Sequence, residues 1–212
     1  MTTPTPARTR PQRRKVPRAI REQQILDAAD ACFAKRGYHD ASMEEIAELT
    51  GITKPIIYAY FGSKEGLYLA AVERAGRELV RRIASAAAIE NADAQLWQGA
   101  LAFFEFVLER RNGWQVLQRE ATSSARGAAQ AVARFRAQVA DLIAEQLRQA
   151  ADVATDQVAH ADPIAHAIAG AAQSLADWSL EHPDVSAQEL TAHFSALVWT
   201  GIAARPTPTR RS

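Results

Sequence analysis

The strongest constraint on this chain is the order of capping and turn residues across residues 42–64, SMEEIAELTGITKPIIYAYFGSK. Ser42 with Glu45 three residues later forms a capping box, in which each side chain can satisfy an orphan N–H at a helix start. Ile46, Ala47 and Leu49 supply apolar contacts for that helix. Gly51 falls where the chain must reverse, and a left-handed turn there calls for a residue without Cβ. Thr53 can cap a second helix, and Pro55 lies in its first turn, where the missing N–H costs nothing. Ile56, Ile57, Tyr58 and Phe61 follow. Gly62 and Ser63 end this helix, and Ser63 can cap the next.

Two short helices joined by a glycine turn make a helix-turn-helix pattern, whose second helix enters the DNA major groove. The expected recognition helix covers about residues 54–60. Thr53 offers a hydroxyl and Lys54 a charged donor for phosphate or guanine. Pro55 and Ile57 offer apolar surface for thymine methyl groups, and Tyr58 and Tyr60 offer phenolic donors to phosphates. Ser42 and Arg18 join this candidate set. Ile56 and Phe61 are expected to pack a small three-helix core instead. Helix one is expected over residues 19–36, with Ile25, Ala29 and Phe33 spaced four apart and Leu26 alongside. Cys32 beside that stripe reads as a small core residue.

Further fragments extend the match. Ile25-Leu26-Asp27-Ala28-Ala29, Phe33 and Gly37-Tyr38 stand before Ser42 and Ile46-Ala47; Gly51-Ile52-Thr53-Lys54, Ile57-Tyr58-Ala59-Tyr60-Phe61 and Ser63-Lys64-Glu65 follow. In register, they resemble the DNA-binding domain of the TetR family of transcriptional regulators over residues 20–70. The resemblance implies that Tyr58 and Lys64 contact the DNA backbone, and that Tyr60 stands where the family often has histidine. It implies a fourth helix linking the DNA-binding and regulatory parts, a last pair of helices joining those of a second subunit in a four-helix bundle, and a small-molecule pocket among helices four to eight. A two-fold protein suits a palindromic operator, because paired recognition helices must reach successive major grooves. Repression of transcription follows from family habit alone; an activator would carry the same residues.

Charge is uneven. Residues 1–21 hold seven basic residues and no acid, although the whole chain has a net charge of only +1. Residues 1–17 are rich in Pro, Thr and Arg and are expected to form a disordered arm. Arg13, Arg14, Lys15 and Arg18 lie nearest the folded part and can meet phosphates or the adjacent minor groove. The single cysteine, Cys32, fits a reducing compartment, and no apolar run approaches the roughly 20 residues that cross a bilayer. A cytoplasmic protein without a membrane contact is expected.

With 48% hydrophobic residues, mostly in helical spacing, the remainder reads as helical. Tyr68, Val72, Ala75, Leu79 and Ile83 give a long fourth helix over about 64–88. Helices follow at about 93–111, 114–125 and 128–152, with Asn112-Gly113 and Gly127 as breaks. Pro163 can begin an eighth helix, whose seam is Ile164, Ile168, Ala171, Leu175 and Trp178. Ser186 with Glu189 can cap a ninth, lined by Leu190, Phe194, Leu197 and Gly201. The expected fold is all-α with about nine helices: a disordered arm (1–17), a three-helix helix-turn-helix domain (18–64), a helical bundle for ligand binding and dimerisation (65–204) and a disordered tail (205–212). Dimerisation is expected near residues 163–182 and 186–204.

Candidate pocket residues are Trp97, Phe103, Phe104, Trp114, Leu117, Glu120, Phe135 and Trp178, with Phe106 beside them. Aromatic walls suit a flat or lipophilic effector, but an aromatic row at helical spacing is more often plain core, since core aromatics far outnumber ligand contacts. Arg119, Glu120 and Asp177 can be polar anchors or surface charges. A C-terminal part that only dimerises, or binds another protein, remains the alternative to a sensor. No phosphate loop, nucleophile motif or metal-spaced cysteine set is present, so no enzyme activity, cofactor or metal is expected. His160, Asp162 and His166 straddle Pro163 and do not share a helix face.

Overall fold

A computed structural model describes residues 16–86, 92–119, 126–150 and 160–203. These form nine helices and no strand: α1 (Arg18–Asp40), α2 (Met43–Thr50), α3 (Lys54–Phe61), α4 (Lys64–Ala86), α5 (Ala92–Glu109), α6 (Arg111–Arg119), α7 (Arg126–Ala150), α8 (Ala161–Leu180) and α9 (Ala187–Ala203). The all-α expectation holds. No described helix is long and apolar enough to cross a membrane. Residues 1–15 of the expected arm, the tail 205–212 and Glu120 lie outside the described residues.

Local signals act largely as their chemistry dictates. Ser42 accepts the N–H groups of Glu44 and Glu45 at 3.2 and 3.4 Å, and Gly51 turns the chain at φ +64°. The reciprocal half of that capping box is diverted: Glu45 pairs with Arg36 at 2.8 Å, tying α2 to α1. The second capping box forms completely, Glu189 accepting from the Ser186 N–H at 2.9 Å while Ser186 Oγ accepts from the Glu189 N–H. Gly37, at φ +76°, interrupts α1 where the expected helix ended.

Two expected breaks sit inside helices. Asn112 and Gly113 lie in the first turn of α6, which therefore starts earlier than expected. Gly113 is buried, and a Cβ there would stand at ordinary contact distance, 3.5 Å from Ala75 Cβ and 4.0 Å from Asp30 Oδ2. Gly127 lies likewise in the first turn of α7, against Leu69.

One continuous apolar core runs through the molecule, from Ile25, Phe33, Ile46 and Ile57 through Tyr68 and Val72 to Phe103, Phe135 and Leu190. Helix α4 is its axis, packing on α1, α5, α6 and α7, while α6 also rests directly on α1. Helix α8 lies on α7 and α9 lies on α5. The seam of α8 is spent largely inside the same chain, since Ile168 is buried and Ile164, Ala171 and Leu175 pack on the core. Trp178 and Leu197 instead face outward, 45% and 65% exposed.

Candidate nucleic-acid interface and effector cavity

Helix α3 presents a small polar and apolar face. Thr53 precedes it as N-cap residue without a side-chain cap bond, and Pro55 occupies the first turn. Both are exposed. The first turn holds no acid, so the partial positive charge of the helix start is uncompensated there. Lys54 is ion-paired with Glu44 of α2. That contact holds the Lys54 ammonium above its usual pKa and the Glu44 carboxyl below its own, so both are charged at neutral pH. Tyr58 is exposed.

Arg18 reaches α3 from α1, whereas Lys64, at the start of α4, contacts the end of α1. The Arg18 guanidinium lies 5.2 Å from the centre of the half-buried Tyr60 ring, a cation–π arrangement. Lys64 Nζ donates to the His39 carbonyl at 2.8 Å and lies over Tyr38. Ser42 Oγ is committed to capping α2 and also donates to Glu44.

Ile57 is corrected. It is fully buried, 0% exposed, and cannot offer surface to thymine methyls. Its neighbour Ile56, expected in the core, is 41% exposed. The signal was available: Ile57 and Phe61 are four apart and share one helix face, and Phe61 also packs on the core.

A second feature lies among α4, α6, α7 and α8, with Phe103 of α5 at its floor. It is a cavity of about 440 Å³, lined by Leu79, Phe103, Trp114, Leu117, Val132 and Phe135 on its apolar side and by Gln118, Arg136, His166 and Gln173 on its polar side. Trp114 meets Phe103 edge to face at 5.3 Å. Asp177 of α8 accepts from Trp114 Nε1 at 3.1 Å and from Gln118 Nε2 at 2.8 Å, and Arg136 donates to Gln118 Oε1 at 3.1 Å. The carboxylate thus fixes both α6 side chains at the opening.

Four of the expected pocket residues, Phe103, Trp114, Leu117 and Phe135, meet here. Phe104 does not line the cavity. It is buried behind the cavity, edge to face with Phe103 and Phe194, and Phe106 is equally buried. Trp97, half-buried on α5, is not part of the wall. Trp178 is on the outer face of α8, stacked on His182 at 3.8 Å, because the buried line of α8 here runs through Ala176 and Ser179, and a position two residues after Ala176 lies on the other side of the helix. The polar wall was missed, although Gln118 is four residues after Trp114 and so on its face. His166 belongs to that wall, its Nδ1 against the Asp162 carbonyl oxygen. No cluster suited to a metal ion occurs among the described residues.

Comparison with known proteins gives matches over both halves. Residues 25–71 match the model for bacterial regulatory proteins of the tetR family, and residues 92–201 match that for the tetracyclin repressor-like C-terminal domain. The chain is 38% identical over 104 residues to the HTH-type transcriptional activator FasR of Mycolicibacterium smegmatis, covering 49% of this chain and 48% of that protein. It is 37% identical over 79 residues to the HTH-type transcriptional repressor AcnR of Corynebacterium glutamicum, covering 37% of this chain and 39% of that one. The chain thus spans half or less of the length of these curated relatives. A TetR-like transcriptional regulator from Rhodococcus sp. RHA1 superposes with a TM-score of 0.78 at 32% identity, over 90% of this chain and 100% of that one. The regulator FadR from Bacillus subtilis, solved in complex with stearoyl-CoA, shares the fold with a TM-score of 0.70 at 21% identity, over 84% and 98% of the two chains.

Proposed function

The chain belongs to the TetR family of DNA-binding transcriptional regulators, and from that premise we propose that it is a homodimeric repressor released from a palindromic operator by a small lipophilic effector. In this reading residues 18–64 form the DNA-binding head and residues 65–204 the effector and dimerisation part. Thr53, Lys54, Pro55, Ile56, Tyr58 and Tyr60 face the groove, with Arg18, Ser42 and Lys64 beside the phosphates.

The observation that carries the effector reading is the cavity of about 440 Å³ with mainly apolar walls. Its size falls within the range of about 300–1,000 Å³ typical of ligand sites. Trp114 and Leu117 of α6 and Leu79 of α4 form part of its wall, and both helices pack directly on α1. A ligand that prefers one placement of α4 and α6 therefore biases the head, lowering operator affinity by its differential affinity for the two states. Outward-facing Trp178 and Leu197 support an interface with a second copy. AcnR relatives named as repressors support the sign, while FasR is named as an activator.

The test is selection of genomic fragments bound by the full chain, then footprinting and operator binding with a panel of lipophilic compounds. A two-fold symmetric footprint, loss of binding with one compound class, and rising expression of the adjacent genes on deletion are expected. Falling expression on deletion overturns the repressor sign. An asymmetric footprint overturns the palindromic dimer, and operator affinity indifferent to the panel overturns the effector reading.

A further inference from the structure

Resting on the lipophilic-effector reading above, we propose that the effector is a single-chain amphiphile with an anionic head, and that Phe103 sets the length of tail the protein accepts. The observation is that the cavity does not end at its floor. A smaller chamber of about 50 Å³ adjoins it, lined by Ile83, Leu96, Ala100, Ile143, Ile168 and Phe194 among others. Phe103, Val139 and Ala169 line both spaces. These three residues stand between the two spaces, and Phe103 carries the largest side chain among them.

The pair of spaces is polarised. Its ionisable lining residues are Arg136 and His166, both on the larger space; no Asp or Glu is among the residues lining either space. Arg136 is exposed at the opening and donates to Gln118 Oε1. A guanidinium exchanging a neutral amide acceptor for a carboxylate or phosphate gains a charge-assisted bond. Beyond Phe135 the walls are mainly aliphatic and aromatic, apart from Gln146 in the smaller chamber, which suits a hydrocarbon tail and repels a second charge. A head at Arg136 sends its tail toward Phe103.

The Phe103 ring is restrained by two aromatic neighbours, which makes it suited to act as a stop. Trp114 meets it edge to face at 5.3 Å and Phe104 does so at 5.1 Å. Trp114 is in turn anchored through its indole N–H to Asp177. Short tails end against the ring; longer ones require it to move or be absent.

The test uses the full-length protein and two probe series, straight-chain fatty acids and their coenzyme A thioesters from octanoyl to stearoyl, with fatty alcohols of the same lengths as uncharged controls. Binding is read from ligand-dependent melting shifts and from operator release. Wild type should show an optimum length, and Phe103→Ala should move that optimum to longer tails, with affinity for the longest rising roughly tenfold, about 1.4 kcal/mol. Arg136→Ala should weaken the acids or the thioesters, whichever the protein prefers, without changing alcohol binding; this comparison separates the two sources of the anionic head. Ala100→Leu, which fills the smaller chamber, should cancel the gain of Phe103→Ala. It also keeps the test open should Phe103→Ala fold poorly, because in an otherwise wild-type chain it should leave short-tail binding intact and abolish any long-tail binding. An unchanged length optimum, or alcohols binding as well as the charged ligands, overturns the proposal. Flat aromatic compounds releasing the operator where the whole chain series does nothing overturns this proposal alone. Failure of both groups overturns the effector reading with it.

Discussion

Ile56 and Ile57 are adjacent in α3, about 100° apart around its axis, yet the first is 41% exposed and the second fully buried. Ile57→Ala is therefore a core truncation and is expected to cost about 2–5 kcal/mol of stability. Ile56→Ala is expected to stay within about 0.5 kcal/mol of wild type in stability and to weaken operator binding. Urea unfolding and fluorescence anisotropy on a labelled operator separate the two. The assignment fails if Ile56→Ala unfolds the head or leaves operator affinity untouched.

The Lys54–Glu44 pair makes the charge of the recognition helix conditional. With Glu44 ionised at neutral pH, DNA bound as proposed has to draw Lys54 away from a carboxylate that also repels phosphate. Glu44→Gln is expected to tighten DNA binding and Lys54→Ala to weaken it, the latter reducing the slope of log affinity against log salt by about 1. A loss that falls only on the preferred sequence assigns Lys54 to a base; a uniform loss assigns it to a phosphate. Tighter binding in Lys54→Ala is the result that would reject a DNA contact.

The head was legible in the sequence because its signals are local. Ser42, Gly51 and Pro55 act on backbone groups within a few residues, and their chemistry admits few alternatives; Ser186 does the same at α9. What failed depended on partners distant in sequence. Gly113 and Gly127 looked like breaks, yet both lie in first helical turns, Gly113 buried beside Ala75 and Asp30 and Gly127 beside Leu69. The cavity was half legible: Phe103, Trp114, Leu117 and Phe135 were singled out as aromatic or apolar residues, but Trp178 has the same periodic signature and faces outward. Gln118 and Arg136 become intelligible only once α6, α7 and α8 are brought together around Asp177.

Asp30 joins α1 to α4 in a costly way. One carboxylate oxygen takes the Arg74 guanidinium at 2.5 Å, and the other is buried without a hydrogen-bond partner. Burial pushes this carboxyl up from 3.8 to about 6, against the opposing pull of Arg74; Asp27 adds to the rise and Arg110 counters it. A carboxyl with a raised folded pKa binds its proton more tightly in the fold than in the unfolded chain. Its contribution is thus most favourable below the lower of the two values and falls as pH rises toward the upper one, by on the order of 3 kcal/mol. Asp30→Asn should remove this falling limb. The difference between wild-type and variant unfolding free energies, followed from acid to neutral pH, isolates it from carboxylates such as Glu78, which is shifted down. Parallel curves would refute the assignment.

Gly76 of α4 lets the Phe135 ring lie against the helix backbone, since a Cβ at that position would stand only 2.1 Å from the ring's Cδ2 atom. Gly76→Ala cannot be accommodated without movement, and two responses compete. If α7 is pushed off α4, the core opens and the cost is that of overpacking, about 1–3 kcal/mol. If instead the ring swings away, it enters the cavity it already lines, and part of the cost is offset by the roughly 1 kcal/mol that alanine gains over glycine within a helix. The second response wins on this balance, because the ring already borders the cavity and the α4–α7 packing is extensive. Gly76→Ala is therefore expected to lower the melting temperature only slightly, to bind operator as the unliganded wild type does, and to lose the melting shift produced by its effector. A large fall in melting temperature with the ligand-dependent shift retained would mean that the helices parted and the ring stayed where it is.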